Sequence, residues 1–184
     1  MTPPRLVVLA GPNGAGKTTS AGSLLRDTLA VREFVNADTI AQGLSAFDAN
    51  AAAFHAGRIM ITRLHELAGE RADFAFETTL ASRSFAPWIA QLGREGFSFE
   101  LVFLWLPFPE MAMARVAERV RMGGHSVPED VIRRRYAGGL QNFFRLYRPL
   151  SRHWHFIDNS GATPGRPVAQ GAGVVENELQ DGQL

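Results

Sequence analysis

The chain contains no cysteine. That excludes disulfide frameworks, thiolate metal sites and cysteine nucleophiles, and it suits a reducing compartment. Long apolar runs are missing too: nothing approaches the ~20 residues needed to span a bilayer. The opening Met1-Thr-Pro-Pro-Arg5 lacks the basic stretch and apolar run of a secretion signal. Excess charge is equally absent, since a net +1 gives no reason to expect a nucleic-acid or membrane partner. The expectation is a soluble cytoplasmic protein. At 184 residues, 46% of them hydrophobic, the chain can bury the core of one domain.

Lysine is the most informative scarcity. Of 19 basic residues 18 are arginine, which leaves Lys17 alone. Against a drift toward arginine, a position that stays lysine points to a need for a compact ammonium on a flexible stem.

Short apolar runs alternate with longer helical patterns, the signature of an α/β fold with a mainly parallel sheet. Strands are expected at 6–9, 33–36, 73–76, 99–106 and 155–157, and helices at 17–29, 50–68, 85–95, 110–122 and 128–147. In the second helix Phe54, Ile61, Leu64 and Leu67 fall near one face. Ser126, three residues before Glu129, predicts a capping box with Pro128 in the first turn. The dense aromatics Phe143, Phe144, Tyr147, Trp154 and Phe156 read as packing. The domain is expected to occupy 1–160, while the Gly, Pro, Ala and Gln of 161–184 read as a loosely docked or disordered tail. Charge is uneven: residues 110–152 carry nine arginines against four acids, a net of +5.

Gly11-Pro12-Asn13-Gly14-Ala15-Gly16-Lys17-Thr18, followed by Thr19, fits G-x-x-x-x-G-K-[ST] between an expected strand and helix. Glycines let such a loop curl so that backbone N–H groups surround a phosphate, and the helix N-terminus adds a positive dipole end. Lys17 then reaches the β- and γ-phosphates, and the Thr18 hydroxyl can bind Mg²⁺. The loop wording also occurs in ABC-type ATPases, but no hhhhDE strand or LSGGQ-like signature follows, and no N-K-x-D motif marks a GTPase.

Two acids follow two further strands. Asp38, in Asn36-Ala-Asp38, is placed to take a proton from an attacking hydroxyl or to reach a metal through water. The plainer reading is that it caps the next helix. Glu77, in Glu77-Thr78-Thr79, is placed to bind a substrate or to be a metal-associated acid, again with a helix cap as the plainer reading. Arg115, Arg119 and Arg121, a Gly123-Gly124 hinge, His125 and Arg133-Arg134-Arg135 suggest a closing lid that brings guanidinium charge to a phosphoryl group. Surface arginines around an ordinary turn are the alternative.

Together with Arg134-Arg-Tyr136 and Asp158-Asn-Ser160, these pieces resemble, in order and over about 5–160, the short bacterial branch of the zeta-toxin family of P-loop kinases. The resemblance implies a nucleoside-kinase-like three-layer sandwich with an Arg-rich helical lid at about 110–148. It also implies ATP/Mg²⁺-dependent phosphoryl transfer to a sugar hydroxyl, which in the toxins is the 3′-hydroxyl of UDP-N-acetylglucosamine. By that analogy Asp38 is the general base, Lys17 holds the phosphates and Thr18 holds Mg²⁺. Glu77 and Thr78 contact the acceptor, Arg115 and His125 line its site, and Arg119 with Arg134 stabilises transferring charge. The lid loop is shorter than in the toxins, so the second charged position falls to Arg134 or His125. An antitoxin protein is a partner on this reading. The competing readings are a same-fold kinase for an antibiotic, nucleoside or other metabolite, and a P-loop ATPase or switch with no acceptor.

Overall fold

The computed structural model describes residues 2–45, 49–161 and 165–177. Strand β1 (Arg5–Ala10) is buried at all but its first residue and lies between β3 (Phe74–Thr78) and β4 (Ser98–Trp105), parallel to both. Covered on both faces, it needs an unbroken apolar run rather than an alternating one, which Leu6-Val-Val-Leu-Ala10 supplies. Strand β2 (Glu33–Val35) pairs in parallel with β3, and β5 (His153–Asp158) in parallel with β4. Two antiparallel strands, β6 (Arg166–Ala172) and β7 (Val175–Asn177), extend the β5 side, giving the order β2-β3-β1-β4-β5-β6-β7.

Helices cover both faces. They are α1 (Lys17–Ala21), which widens into a π-helical stretch over Gly22–Thr28, then α2 (Ala37–Leu44), α3 (Ala49–Gly69), α4 (Phe85–Arg94), α5 (Pro109–Arg121) and α6 (Glu129–Asn142). Alternate strand residues face opposite sides. One side gathers Phe74, Phe76, Phe103, Trp154 and Phe156 with Leu64 and Leu67 of α3 and Ile89 of α4. The other joins Val7, Leu9, Val102 and Leu104 to Leu25, to Ala112 and Val116 of α5, and to Ile132 of α6. The α/β class and mostly parallel sheet expected from the sequence are thus present. The segment expected as a lid is built into both cores, through Ala112, Val116 and Ile132 on one side and Phe143 and Tyr147 on the other.

Three local expectations need correction. The buried stripe of α3 runs through Ala56, Met60, Leu64 and Leu67, while Phe54 is 81% and Ile61 41% exposed, because they project from a neighbouring face of the helix. No capping box forms at Ser126: Pro128 is itself the N-cap, so Glu129 begins the helix instead of closing its first turn. Residues 166–172 and 175–177 of the expected tail are strands, the remainder of 162–164 and 178–184 lying outside the described residues. Their composition hid this because these outer strands bury little; only Gly171 of β6 is buried, and all of β7 is exposed. The glycine is required there, since a Cβ would collide with the Val175 carbonyl and lie 2.7 Å from the Trp154 ring. Trp154 Nε1 closes the junction by donating to the Gly173 carbonyl at 3.0 Å.

Gly171→Val is therefore expected to cost about 1–3 kcal/mol, the range of an overpacked core, when unfolding is followed in urea. The same change in an undocked tail would stay within about 0.5 kcal/mol.

Candidate active site

The Gly11–Thr18 loop leaves the end of β1, at the carboxyl edge of the parallel sheet where ligands of open α/β folds bind. Gly11, Gly14 and Gly16 all have positive φ (141°, 77° and 81°), so the curl is written in backbone angles that side chains rarely adopt. A Cβ at Gly11 would also strike the Leu104 carbonyl of β4. Asn13, Gly14, Gly16, Lys17, Thr18 and Thr19 line a cleft of about 770 Å³. The buried Asn13 Oδ1 facing this loop has no partner among the described residues.

Lys17 is only 6% exposed. Its Nζ donates to the Gly11 carbonyl at 2.9 Å and the Pro12 carbonyl at 3.0 Å, and lies 3.7 Å from Glu77. Burial depresses its pKa below the ordinary 10.5; the Glu77 and Asp38 carboxylates pull it back up, and Arg119 pushes it further down. Thr18 Oγ1 donates to Glu77 Oε2 at 2.9 Å. Glu77, expected beside an acceptor, is thus held against the phosphate loop from the end of β3. Thr78 does not line the cleft; its hydroxyl accepts the Leu80 N–H at 3.1 Å within the turn that follows.

That turn is unusual. Leu80 is fully buried yet has a φ of +56°, a conformation that surrounding structure must enforce. Asn142 Nδ2 donates to the Leu80 carbonyl at 2.8 Å, Tyr147 Oη donates to the Ser82 carbonyl at 2.6 Å, and Gly139 leaves room for the Thr79 carbonyl. Helix α6 and its continuation therefore pin the loop that follows Glu77.

The start of α2 decides the reading of Asp38. Asn36 is the N-cap, its Oδ1 accepting the N–H groups of Asp38 at 2.8 Å and Thr39 at 3.1 Å. Capping is thereby taken from Asp38, whose exposed side chain lines the cleft. Among the described residues no hydrogen bond is given to its carboxylate.

The arginines divide. Arg115 spends its guanidinium on backbone carbonyls, those of Asn159 and Ser160 at 2.8 Å each and of Gly14 at 3.5 Å. It buttresses the loop, a role spacing gave no hint of. Asn159, also missed, donates to the Ala15 carbonyl at 2.7 Å. Arg119 lines the cleft, its Nη2 donating to the His125 carbonyl at 3.0 Å and its buried Nε unpartnered among the described residues. The ring of His125 does not line the cleft. Arg134, expected at the transferring phosphoryl group, is exposed on α6 and outside the cleft, because the buried side of that turn belongs to Ile132.

Among the described residues no group of three or more His, Cys, Asp or Glu side chains could hold a metal by itself. The donors at the loop are the oxygens of Thr18 and Glu77, a hard set that suits Mg²⁺ once phosphate oxygens complete its shell.

Residues 6–145 match the AAA domain family. A protein of Haemophilus influenzae (strain ATCC 51907 / DSM 11121 / KW20 / Rd), described only as uncharacterized, is 30% identical over 72% of this chain and 92% of its own. Among solved structures, the AvrRxo1-ORF1:AvrRxo1-ORF2 complex with sulphate ions superposes at a TM-score of 0.70 with 17% identity, over 95% of this chain. The chain spans 60% of that protein's length. A structure from the PezAT chromosomal toxin-antitoxin system of Streptococcus pneumoniae gives 0.64 at 14% identity, over 86% of this chain and 69% of its own. Shikimate kinase from Acinetobacter baumannii, in complex with shikimate, gives 0.51 at 22% identity over 86% of both chains. The fold is one shared with P-loop kinases. No helix among the described residues is long and apolar enough to cross a membrane.

The depressed pKa of Lys17 carries a sign in pH. Between its native value and 10.5 the unfolded chain binds more protons than the folded one, so stability rises with pH across that window. Urea unfolding of wild type and Lys17→Met at pH 7, 8.5 and 10 is expected to show the wild type gaining relative to the variant as pH climbs.

Proposed function

We propose that this chain, which belongs to the AAA domain family, is an ATP- and magnesium-dependent kinase that transfers a γ-phosphate to a hydroxyl of a nucleotide-sugar-like acceptor. Resemblance to the zeta toxins makes UDP-N-acetylglucosamine the first acceptor to test. The observation that carries the reading is the capping of α2 by Asn36, which leaves the Asp38 carboxylate available in the cleft that also holds Lys17 and Arg119.

In this reading the loop N–H groups and Lys17 hold the β- and γ-phosphates. Thr18 would hold Mg²⁺, with Glu77 beside it, and the ion would neutralise charge on the phosphates. Asp38 accepts the proton of the acceptor hydroxyl as its oxygen bonds to phosphorus and the bond to ADP breaks. Arg119 supplies positive charge from the side of α5. A recess of about 710 Å³ shares Asn36 and Thr39 with the cleft and also takes in His55 and Arg58, which offers an acceptor space next to Asp38.

A second reading, a kinase for another small metabolite, is supported by the superposition on shikimate kinase over 86% of both chains. A protein antitoxin belongs to the first reading only, supported by the origin of the PezAT structure.

ATP turnover with Mg²⁺ should be measured with and without UDP-N-acetylglucosamine, reading phosphorylated product by mass spectrometry. Asp38→Asn is expected to lower product formation by about 10²- to 10⁴-fold, the worth of a general base. Release of ADP without product, untouched by the substitution, would replace the kinase with an acceptor-free ATPase. Product from shikimate-like or other metabolites alone would favour the second reading.

A further inference from the structure

Asn36 does more than cap a helix. It is the residue between β2 and α2, 6% exposed, and its two amide atoms face in different directions. Oδ1 takes the first N–H groups of α2, while Nδ2 donates to Glu77 Oε2 at 2.7 Å. The same Oε2 receives the Thr18 hydroxyl proton at 2.9 Å. A chain of hydrogen bonds thus runs from the end of β2, through the end of β3, to the phosphate loop after β1.

The direction of each bond matters. Because Thr18 gives its proton to Glu77, the lone pairs of its oxygen are turned away from the carboxylate and left for another partner. Glu77 can hold that proton in one direction only while its own oxygen is fixed, and the Asn36 amide fixes it. We infer that Asn36 is a positioning residue for the magnesium–nucleotide complex: it locks Glu77, which orients the Thr18 hydroxyl for a cation, and by the same side chain it sets the start of the helix that carries Asp38. Outer partners of this kind orient metal ligands in many proteins. Few side chains serve both ends: serine keeps the cap acceptor and loses the reach to Glu77, and aspartate keeps the cap acceptor and sets a second carboxylate against Glu77.

The inference rests on the nucleotide-binding part of the proposed function and needs no acceptor to test. Affinity for a fluorescent ATP analogue should be titrated with and without Mg²⁺ for wild type, Asn36→Ser and Asn36→Asp, alongside thermal unfolding. In Asn36→Ser the retained cap should hold Tm within about 2–4 °C of wild type, and magnesium-free affinity should be unchanged. The gain in affinity that Mg²⁺ confers should fall about 10-fold or more. Asn36→Asp should lose that gain as well, which keeps the result readable if the serine variant folds poorly. A serine variant with a wild-type magnesium gain would show Asn36 to be only a cap and overturn the inference. So would equal losses with and without Mg²⁺, or a wild type indifferent to Mg²⁺. A wild type that binds Mg²⁺–nucleotide with the expected variant pattern yet phosphorylates nothing would sink the kinase reading and leave this one standing.

Discussion

Taking the Lys17 ammonium out of water at the end of the central strand costs several kcal/mol unless acceptors replace the lost solvent, and much of the site follows from providing them. Two acceptors are carbonyls of its own loop, Gly11 and Pro12. They turn inward only because the loop curls through positive φ angles, and Gly11 is pressed so close to β4 that no side chain fits. The third is Glu77, delivered by the strand paired with β1. From outside, Arg115 of α5 and Asn159 after β5 take the carbonyls of Gly14 and Ala15. One buried charge therefore draws on β1, β3, α5 and the end of β5, and the order of strands in the sheet is what brings them together.

What was legible in the sequence was what is local. The Gly11–Thr18 loop announces itself because its curl depends on backbone angles that consecutive residues encode. Asp38 and Glu77 could be placed because each follows an apolar strand, and parallel strands end at one edge. Asn36 was passed over for chemistry because its meaning lies in a bond to Glu77, 41 positions away. Asn159 and Arg115 were unreadable as loop supports for the same reason. The strands at 166–172 and 175–177 escaped because strands that bury almost nothing carry little apolar signal, and Phe54 and Ile61 misled because an apolar side chain can face solvent without consequence for folding.

The arginine-rich segment shows how little a charge count says about direction. Arg133 pairs with Glu110 at 2.6 Å, and Arg148 lies 5.3 Å over the rings of Phe144 and Trp154. Arg115 holds backbone. Of the arginines singled out for catalysis, Arg119 alone both lines the cleft and keeps a buried nitrogen unpartnered among the described residues. The sheet that carries this arrangement also serves a shikimate kinase and a toxin-antitoxin protein. It does not by itself choose a substrate, and the differences reside in the side chains set along its carboxyl edge.

The loop supports also fix an order of events in synthesis. The Gly11–Thr18 loop is synthesised well before its supports, since the bonds that seat Ala15 and Gly14 come from residues 144 and 101 positions later. Contacts of such span form late, after the intervening sheet has condensed. A growing chain therefore presents β1 and its glycines long before the carbonyls of the loop are fully bonded. The last of these bonds forms only once β5, the last parallel strand, has docked, so a chain that stops before residue 159 carries the loop sequence without its finished support.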